Sequence, residues 1–198
     1  CDRIRVADEL PAGRKYRHVV CVDCADFARV GRAAAWIEEG ALLLNIDHHP
    51  TNDGFGSVNL LRTDAAATAE ILHDLVQAAG VAWDLEVATA IYTGLLTDTG
   101  GFRYANTTPN VMSVASFLLD HGVDGPALAE SLLERMSIEQ LLMLQRALPR
   151  LTFSSDRRIA WLWVTERDLQ ETGAANEHLE GLVNYPRNIE GVEVGMLF

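Results

Sequence analysis

The sequence has few positively charged residues. Lys and Arg together number 16 against 28 Asp and Glu, which gives a formal net charge of -12. A protein that wraps long nucleic acid needs many cationic contacts to phosphate, so this charge argues against that class. Short or small anionic substrates remain compatible with it, because a bound divalent metal supplies positive charge locally.

Long apolar runs and a cysteine framework are also lacking. No stretch approaches the roughly 18 to 20 uninterrupted apolar residues of a membrane span, and the first residues do not resemble a cleavable signal. Three cysteines without framework spacing favour a reducing compartment, so we expect a soluble, cytoplasmic protein without membrane contact. Cys21 and Cys24 have the spacing of a zinc or redox pair, but only Cys1 remains to complete a thiolate site, which disfavours that interpretation.

The remaining composition is that of a packed protein. The chain has 198 residues, of which 48% are hydrophobic, enough for a sizeable core. It begins at Cys1, and residues 191–198 have the pattern of a strand that stops without a polar tail. We therefore expect both ends to be cut.

Two apolar runs each end in a carboxylate. Residues 18–22 lead to Asp23 and residues 41–46 lead to Asp47, with a predicted helix from Phe27 to Gly40 between them. Continuous apolar strands separated by a helix are typical of a parallel sheet buried on both faces. Ligands bind such sheets beyond the carboxyl ends of the strands, where Asp23 and Asp47 lie.

Helix signals dominate the next part of the chain. They predict a helix over 64–79, a second capped by Asp84, a third opened by Thr108 and Pro109, and one opened by Ser137. The pattern then changes to a hairpin near 155–156, a strand, a Thr165-capped helix and a final strand. We expect an α/β fold: a parallel-sheet domain over 1–136, a connector helix over 137–150, and the truncated start of a smaller α/β domain over 151–198.

The candidate chemistry lies in three segments. Asp47, His48 and His49 follow a strand, and carboxylate with neutral imidazole is a usual ligand combination for Mn, Fe or Zn. A polar turn leaving the sheet explains the triplet alone equally well. Asp23 and Asp98 are expected to reach the same crevice, and this convergence favours a metal site. Arg103 and Asn106 follow the Asp98 turn and are candidate phosphate or base contacts, with a solvated loop as the equal alternative.

These motifs resemble the DHH phosphoesterase family, and within it the branch of nano-RNases that also act as 3′-phosphoadenosine 5′-phosphate phosphatases. The resemblance covers essentially the whole chain. It rests on residues 22–26, 45–52 with Phe55, Gly56 and Asn59, 92–102, 106–109 and 189–194.

The resemblance implies a two-metal hydrolase, typically with Mn²⁺ and with Mg²⁺ as an alternative. Asp23 and Asp98 would be ligands shared by both ions, and His48 would bind one of them. His49 would contact the substrate phosphate or the transition state, and Asp47 would orient the histidines. The substrate would be a short oligoribonucleotide or the bisphosphorylated nucleotide, and the resemblance allows a homodimer.

The sequence also departs from the family pattern. A His-x-x-x-Asp-x-Asp segment is expected before residue 1, and a glycine-rich histidine motif after Phe198. We therefore expect this chain to bind metal weakly and to turn over slowly or not at all. Inorganic pyrophosphatase on the same core and a non-catalytic nucleotide-binding module remain alternative functions.

Overall fold

The computed structural model describes residues 13–198, so the expectations about Cys1 and the chain start fall outside it. The chain divides into two compact units, the first ending at Glu134 and the second running from Arg135 to Phe198. Within residues 13–198, no helix is both long and apolar enough to cross a membrane.

The first unit is built on a parallel sheet. Its strands β1 (Tyr16–Val22), β2 (Ile37–Asp47) and β3 (Val58–Leu61) lie in the order β1-β2-β3. Val22 pairs with Ile46, so β1 and β2 end side by side. The predicted α/β class is confirmed, and the register places the residues after both strands at one carboxyl edge.

The segment between β1 and β2 differs from the predicted helix. It forms 3-10 turns over Phe27–Trp36, capped by Asp26 and interrupted at Gly31, which has a φ of 58°. Strand β2 already begins at Ile37, so Gly40 lies inside the strand rather than ending a helix. A glycine in the left-handed region breaks the helical hydrogen-bond pattern, and only short pieces remain on either side.

Three helices form the main core of the first unit. They are α1 (Thr68–Ala78), α2 (Leu85–Asp98) and α3 (Pro109–Asp120). Asp84 and Thr108 cap α2 and α3 as the sequence predicts. Helix α1 begins later than predicted, because residues 65–67 form a buried bend and Ala67 has extended backbone. Helices α1 and α2 approach closely at Gly94, where a Cβ atom would lie 2.6 Å from that of Ala69. After α3, the short helix α4 (Gly125–Ala129) continues into a π-helical turn over Glu130–Glu134.

The sheet is covered unevenly by the described residues. Ile46, Leu44 and Leu60 pack against Ile71 of α1. Val20 and Val22 lie on edge strand β1 beside Leu44 and Ile46, yet they are exposed. The prediction of a sheet buried on both faces therefore fails for β1, because α1 covers β2 and β3 instead.

The second unit is a smaller α/β arrangement. Helix α5 (Ile138–Ala147) begins with the predicted capping box of Ser137 and Gln140. Strands β4 (Thr152–Phe153), β5 (Ile159–Leu162) and β6 (Val194–Leu197) form a mixed sheet, and helices α6 (Glu166–Thr172) and α7 (Asn184–Arg187) lie between β5 and β6 in the sequence. Thr172 of α6 donates a hydrogen bond to the sulfur of Met143. Helix α5, predicted as a connector, thus packs within the second unit.

An ion pair between the partly exposed Arg150 and the buried Asp168 stabilises this second unit. Both guanidinium NH₂ groups of Arg150 donate to the Asp168 carboxylate, at 2.6 and 2.9 Å. These bonds, with those from Thr165, hold the pKa of Asp168 well below its ordinary value. We expect Arg150→Met to lower the free energy of unfolding by about 3 kcal/mol at pH 7, since a buried carboxylate loses its charge partner.

The same pair predicts a pH dependence. A depressed folded pKa contributes stability above the unfolded value of about 3.9, and this stability is lost as the pH falls below it. In Arg150→Met the pKa of Asp168 is less depressed. The difference in the free energy of unfolding between the variant and the wild type should therefore be smaller at pH 3 than at pH 7. Urea unfolding at both pH values measures it. A difference that stays constant would show that the ion pair is not its source.

Candidate metal centre

Four side chains meet at the carboxyl edge of the parallel sheet. Asp23, Asp47, His48 and His49 each offer a ligand atom, and these atoms lie within 4.8 Å of one another. Asp98, the last residue of α2, joins them, because its Oδ2 lies 3.7 Å from Nε2 of His48. The structure therefore brings together all three segments that the sequence singles out.

His48 is held so that one ring nitrogen faces two carboxylates. Its Nδ1 lies 3.2 Å from the carbonyl oxygen of Ala65. A carbonyl only accepts, so Nδ1 carries the proton and Nε2 is left with a lone pair in the neutral ring. Nε2 lies 3.6 Å from Oδ1 of Asp23 and 3.7 Å from Oδ2 of Asp98.

Asp47 is fully buried and its oxygens already have partners. Oδ1 accepts from the backbone N–H of His48 at 2.8 Å and from Nδ1 of His49 at 2.7 Å, while Oδ2 accepts from Asn52 at 2.6 Å. Burial disfavours the charged form, but these hydrogen bonds together outweigh it and the pKa of Asp47 is lowered. The geometry suits an orienting carboxylate more than a ligand, and the ring that it orients is that of His49.

Asp23 sits in a tight turn directly after β1. Its φ of 59° is in the left-handed region, which aspartate tolerates better than most residues. Its N–H donates to the carbonyl of Ile46 at 3.0 Å, and its Oδ1 accepts from the hydroxyl of Thr68 at 2.8 Å. Backbone and side chain are thus both fixed, with the carboxylate half exposed at the edge of the sheet.

Asp98 is the less exposed of the two carboxylates that face His48. Burial raises its pKa, the nearby charge of Asp23 raises it further, and His48 and His49 act in the opposite direction. Two carboxylates that face one imidazole lone pair repel each other and the lone pair. A divalent cation relieves that repulsion, and oxygen with imidazole nitrogen is a ligand set suited to Mn²⁺. The residues present therefore fit a metal ion.

The side chains of the two remaining predicted site residues donate hydrogen bonds to backbone carbonyls. Nε of Arg103 donates to the carbonyl of Gly100 at 2.6 Å. The side-chain amide of Asn106 donates to the carbonyls of Ala66 and Asp98, both at 3.1 Å.

Sequence reasoning assigned no role to Asn52 or Thr68. Asn52 donates to Asp47 and to the carbonyl of Cys24, and it accepts from the buried Asn45. Thr68 opens α1 and donates to Asp23. The only available signal was the position of Asn52 within the motif over 45–52, whereas nothing local marks Thr68, which lies 45 residues from its partner.

Removal of Asn52 is expected to lower the stability of the first unit at neutral pH. Asn52→Ala deletes one of the hydrogen bonds that keep Asp47 ionised. We expect the free energy of unfolding to fall by about 2 kcal/mol at neutral pH. The pKa of Asp47 rises in the variant, so this carboxylate contributes less stability above its unfolded pKa of about 3.9, and the difference in stability from the wild type narrows below that pH. An acid titration followed by circular dichroism should show unfolding at higher pH than in the wild type, whereas Gln77→Ala, which removes an exposed amide from α1, should titrate as the wild type.

Several known proteins are similar to the chain in sequence. No family model matches the chain. It is 37% identical over 189 residues to the bifunctional oligoribonuclease and PAP phosphatase NrnA of Thermus thermophilus, covering 96% of the chain and 54% of that protein. The protein of the same name from Bacillus subtilis is 26% identical over 162 residues, covering 80% of the chain and 51% of that protein. The chain thus spans about half the length of these curated relatives.

A comparison of structures agrees. An exopolyphosphatase-related protein from Bacteroides fragilis superposes with a TM-score of 0.80 at 24% sequence identity, covering 89% of the chain and 53% of that structure. This likeness shows a shared fold. The sequence relatives confirm the family that the motifs over 22–26, 45–52 and 92–102 indicate. The chain belongs to the DHH family of phosphoesterases.

Proposed function

We propose that this edge of the sheet is the catalytic centre of a metal-dependent phosphoester hydrolase acting on short oligoribonucleotides, on 3′-phosphoadenosine 5′-phosphate, or on both. The observation that carries the proposal is the geometry of His48, whose Nε2 faces Asp23 and Asp98 at 3.6 and 3.7 Å. The names of the Thermus and Bacillus relatives supply the substrate class.

Three residues have the chemistry of ligands. Each carboxylate of Asp23 and Asp98 has two oxygens and can be shared between two cations, whereas the single lone pair of His48 serves one. We assign Mn²⁺ to the site, with Mg²⁺ as the alternative. When bound, such an ion lowers the pKa of a coordinated water and neutralises negative charge on phosphate.

The other side chains act on the substrate or on each other. Nδ1 of His49 donates to the ionised Asp47, which leaves Nε2 as the ring nitrogen available to a phosphate oxygen. A ring held in this way is positioned to contact the negative charge of a transition state. Arg103 stands near the Asp98 turn as a second candidate for phosphate contact.

The charge of the chain limits the substrate. At -12 it repels long polyanions, while a short substrate places its few phosphates beside the metal centre. A dinucleotide or a bisphosphorylated nucleotide meets this condition. The proposal includes no partner beyond the substrate and a second copy of the chain.

Initial rates on three substrates test this function. The product of the whole open reading frame that encodes these residues is assayed with Mn²⁺ on a ribodinucleotide, on 3′-phosphoadenosine 5′-phosphate and on pyrophosphate. We expect one of the nucleotide substrates to be hydrolysed fastest and EDTA to stop the reaction. Fastest turnover of pyrophosphate would assign the core to pyrophosphatase chemistry. Mn²⁺ binding without hydrolysis of any substrate would indicate a non-catalytic nucleotide-binding module.

A further inference from the structure

The start of α1 is connected to every proposed ligand of the metal centre. The carbonyl of Ala65 accepts from Nδ1 of His48, and the hydroxyl of Thr68 donates to Asp23. Between them, the carbonyl of Ala66 accepts from the side chain of Asn106. The same amide of Asn106 donates to the carbonyl of Asp98.

Asn106 therefore bridges two segments that are distant in the sequence. One end of the bridge is next to the residue that orients His48, and the other is the backbone of Asp98 itself. Both hydrogen bonds come from Nδ2 of the side-chain amide. Its two protons are therefore donated to backbone carbonyls, each at 3.1 Å. An amide so engaged cannot also donate to a phosphate or a base.

The segment that receives this bridge is itself fixed. Its backbone N–H at Ala66 donates to Oε2 of Glu70 at 2.8 Å, and Oε1 of that buried carboxylate accepts from Asn110 at 2.6 Å. Residues 65–67 are nearly inaccessible to solvent. A bond to Ala66 thus ties Asp98 to a rigid part of the unit rather than to a mobile loop.

We propose that Asn106 is a positioning residue of the metal centre, which sets the separation of Asp98 from His48, and that it is not a substrate contact. This inference rests on the proposed function and changes the expectation for Asn106. Without the bridge, the turn that follows α2 loses its attachment to the start of α1. Residues that orient metal ligands without binding the metal typically contribute about 10- to 100-fold to affinity.

The test is a Mn²⁺ titration of four variants, followed by electron paramagnetic resonance of the free ion. Asn106→Leu keeps the volume of the side chain and removes both donors, and Asn106→Ala removes the side chain. Gln77→Ala is the control, since it deletes an exposed amide at the far end of α1, and the oxygen of this amide accepts only from Trp83 among the bonds described. Asp98→Asn alters a proposed ligand directly. Asn106 is exposed, so its variants are expected to fold, and melting in EDTA verifies this.

Both Asn106 variants are expected to bind Mn²⁺ about 10- to 100-fold more weakly, with wild-type affinity in Gln77→Ala. At saturating Mn²⁺ the KM for the dinucleotide should be unchanged. Wild-type Mn²⁺ affinity with a raised KM would overturn the inference and make Asn106 a substrate contact. If Asp98→Asn itself bound Mn²⁺ normally, the metal centre of the proposed function would fail, and this inference with it.

Discussion

Replacement of Asp98 by asparagine is expected to weaken Mn²⁺ binding by more than about 100-fold. This exceeds the effect of losing a residue that only orients a metal ligand. Asp98 ends α2 with Oδ2 at 3.7 Å from Nε2 of His48, opposite the carboxylate of Asp23. Asparagine keeps the shape of the side chain but removes the charge. The fold should be unaffected, since burial and the charge of Asp23 already raise the pKa of Asp98.

Asp120 provides a matched control for this variant. It is the last residue of α3, as Asp98 is of α2, and it is exposed. Asp120→Asn removes the same charge from a helix end outside the cluster. Isothermal titration with Mn²⁺ should show wild-type affinity for Asp120→Asn and a large loss for Asp98→Asn. Equal affinities in the two variants would exclude Asp98 as a ligand.

Replacement of His49 by alanine is expected to lower kcat by about 10²- to 10⁴-fold, the range of a positioned proton donor or acceptor. The metal affinity should change little, because His49 is not one of the proposed ligands. Its Nδ1 is bonded to the buried Asp47 at 2.7 Å, which marks it as an oriented ring with one nitrogen left for substrate. The measurement is kcat on a ribodinucleotide at saturating Mn²⁺, together with the Mn²⁺ dissociation constant.

His18→Ala is the matched control for the His49 variant. His18 is an exposed histidine near the amino end of β1, whereas the site lies at the carboxyl end. It should leave both kcat and metal affinity at wild-type values. A His49 variant that lost metal in parallel with activity would instead assign His49 as a ligand.

Much of the fold was predictable because its signals are local. Asp84, Thr108, Ser137 and Thr165 each cap the helix that follows them, as their sequence patterns indicate. The two apolar strands also end where the first carboxylates stand. The segment around Gly31 was not predictable, since its composition suits a helix and only the backbone reveals the left-handed φ.

The residues of the site were predictable, but the hydrogen bonds that connect them were less so. Strand ends in a parallel sheet meet at one edge, which is why Asp23 and Asp47 could be placed together from the sequence. The bond from Thr68 to Asp23 spans 45 residues, and the bond from Asn106 to Ala66 spans 40. Contacts of that separation depend on how α1 packs on the sheet, which no local pattern encodes.

The histidines show how the structure refines a motif. From the sequence, Asp47 was expected to orient both of them. The structure has Asp47 bonded to the ring of His49, but only to the backbone N–H of His48, whose ring is held by the carbonyl of Ala65. The tautomers of the adjacent His48 and His49 are thus fixed by different parts of the chain.

The central claim is that Asp23, His48 and Asp98 hold a divalent metal, and anomalous diffraction from Mn²⁺-soaked crystals tests it most directly. Data collected at the manganese absorption edge should show a peak within about 2.0 to 2.3 Å of Nε2 of His48, between the carboxylates of Asp23 and Asp98. Absence of a peak there at saturating Mn²⁺, or a peak at other residues alone, would contradict the account.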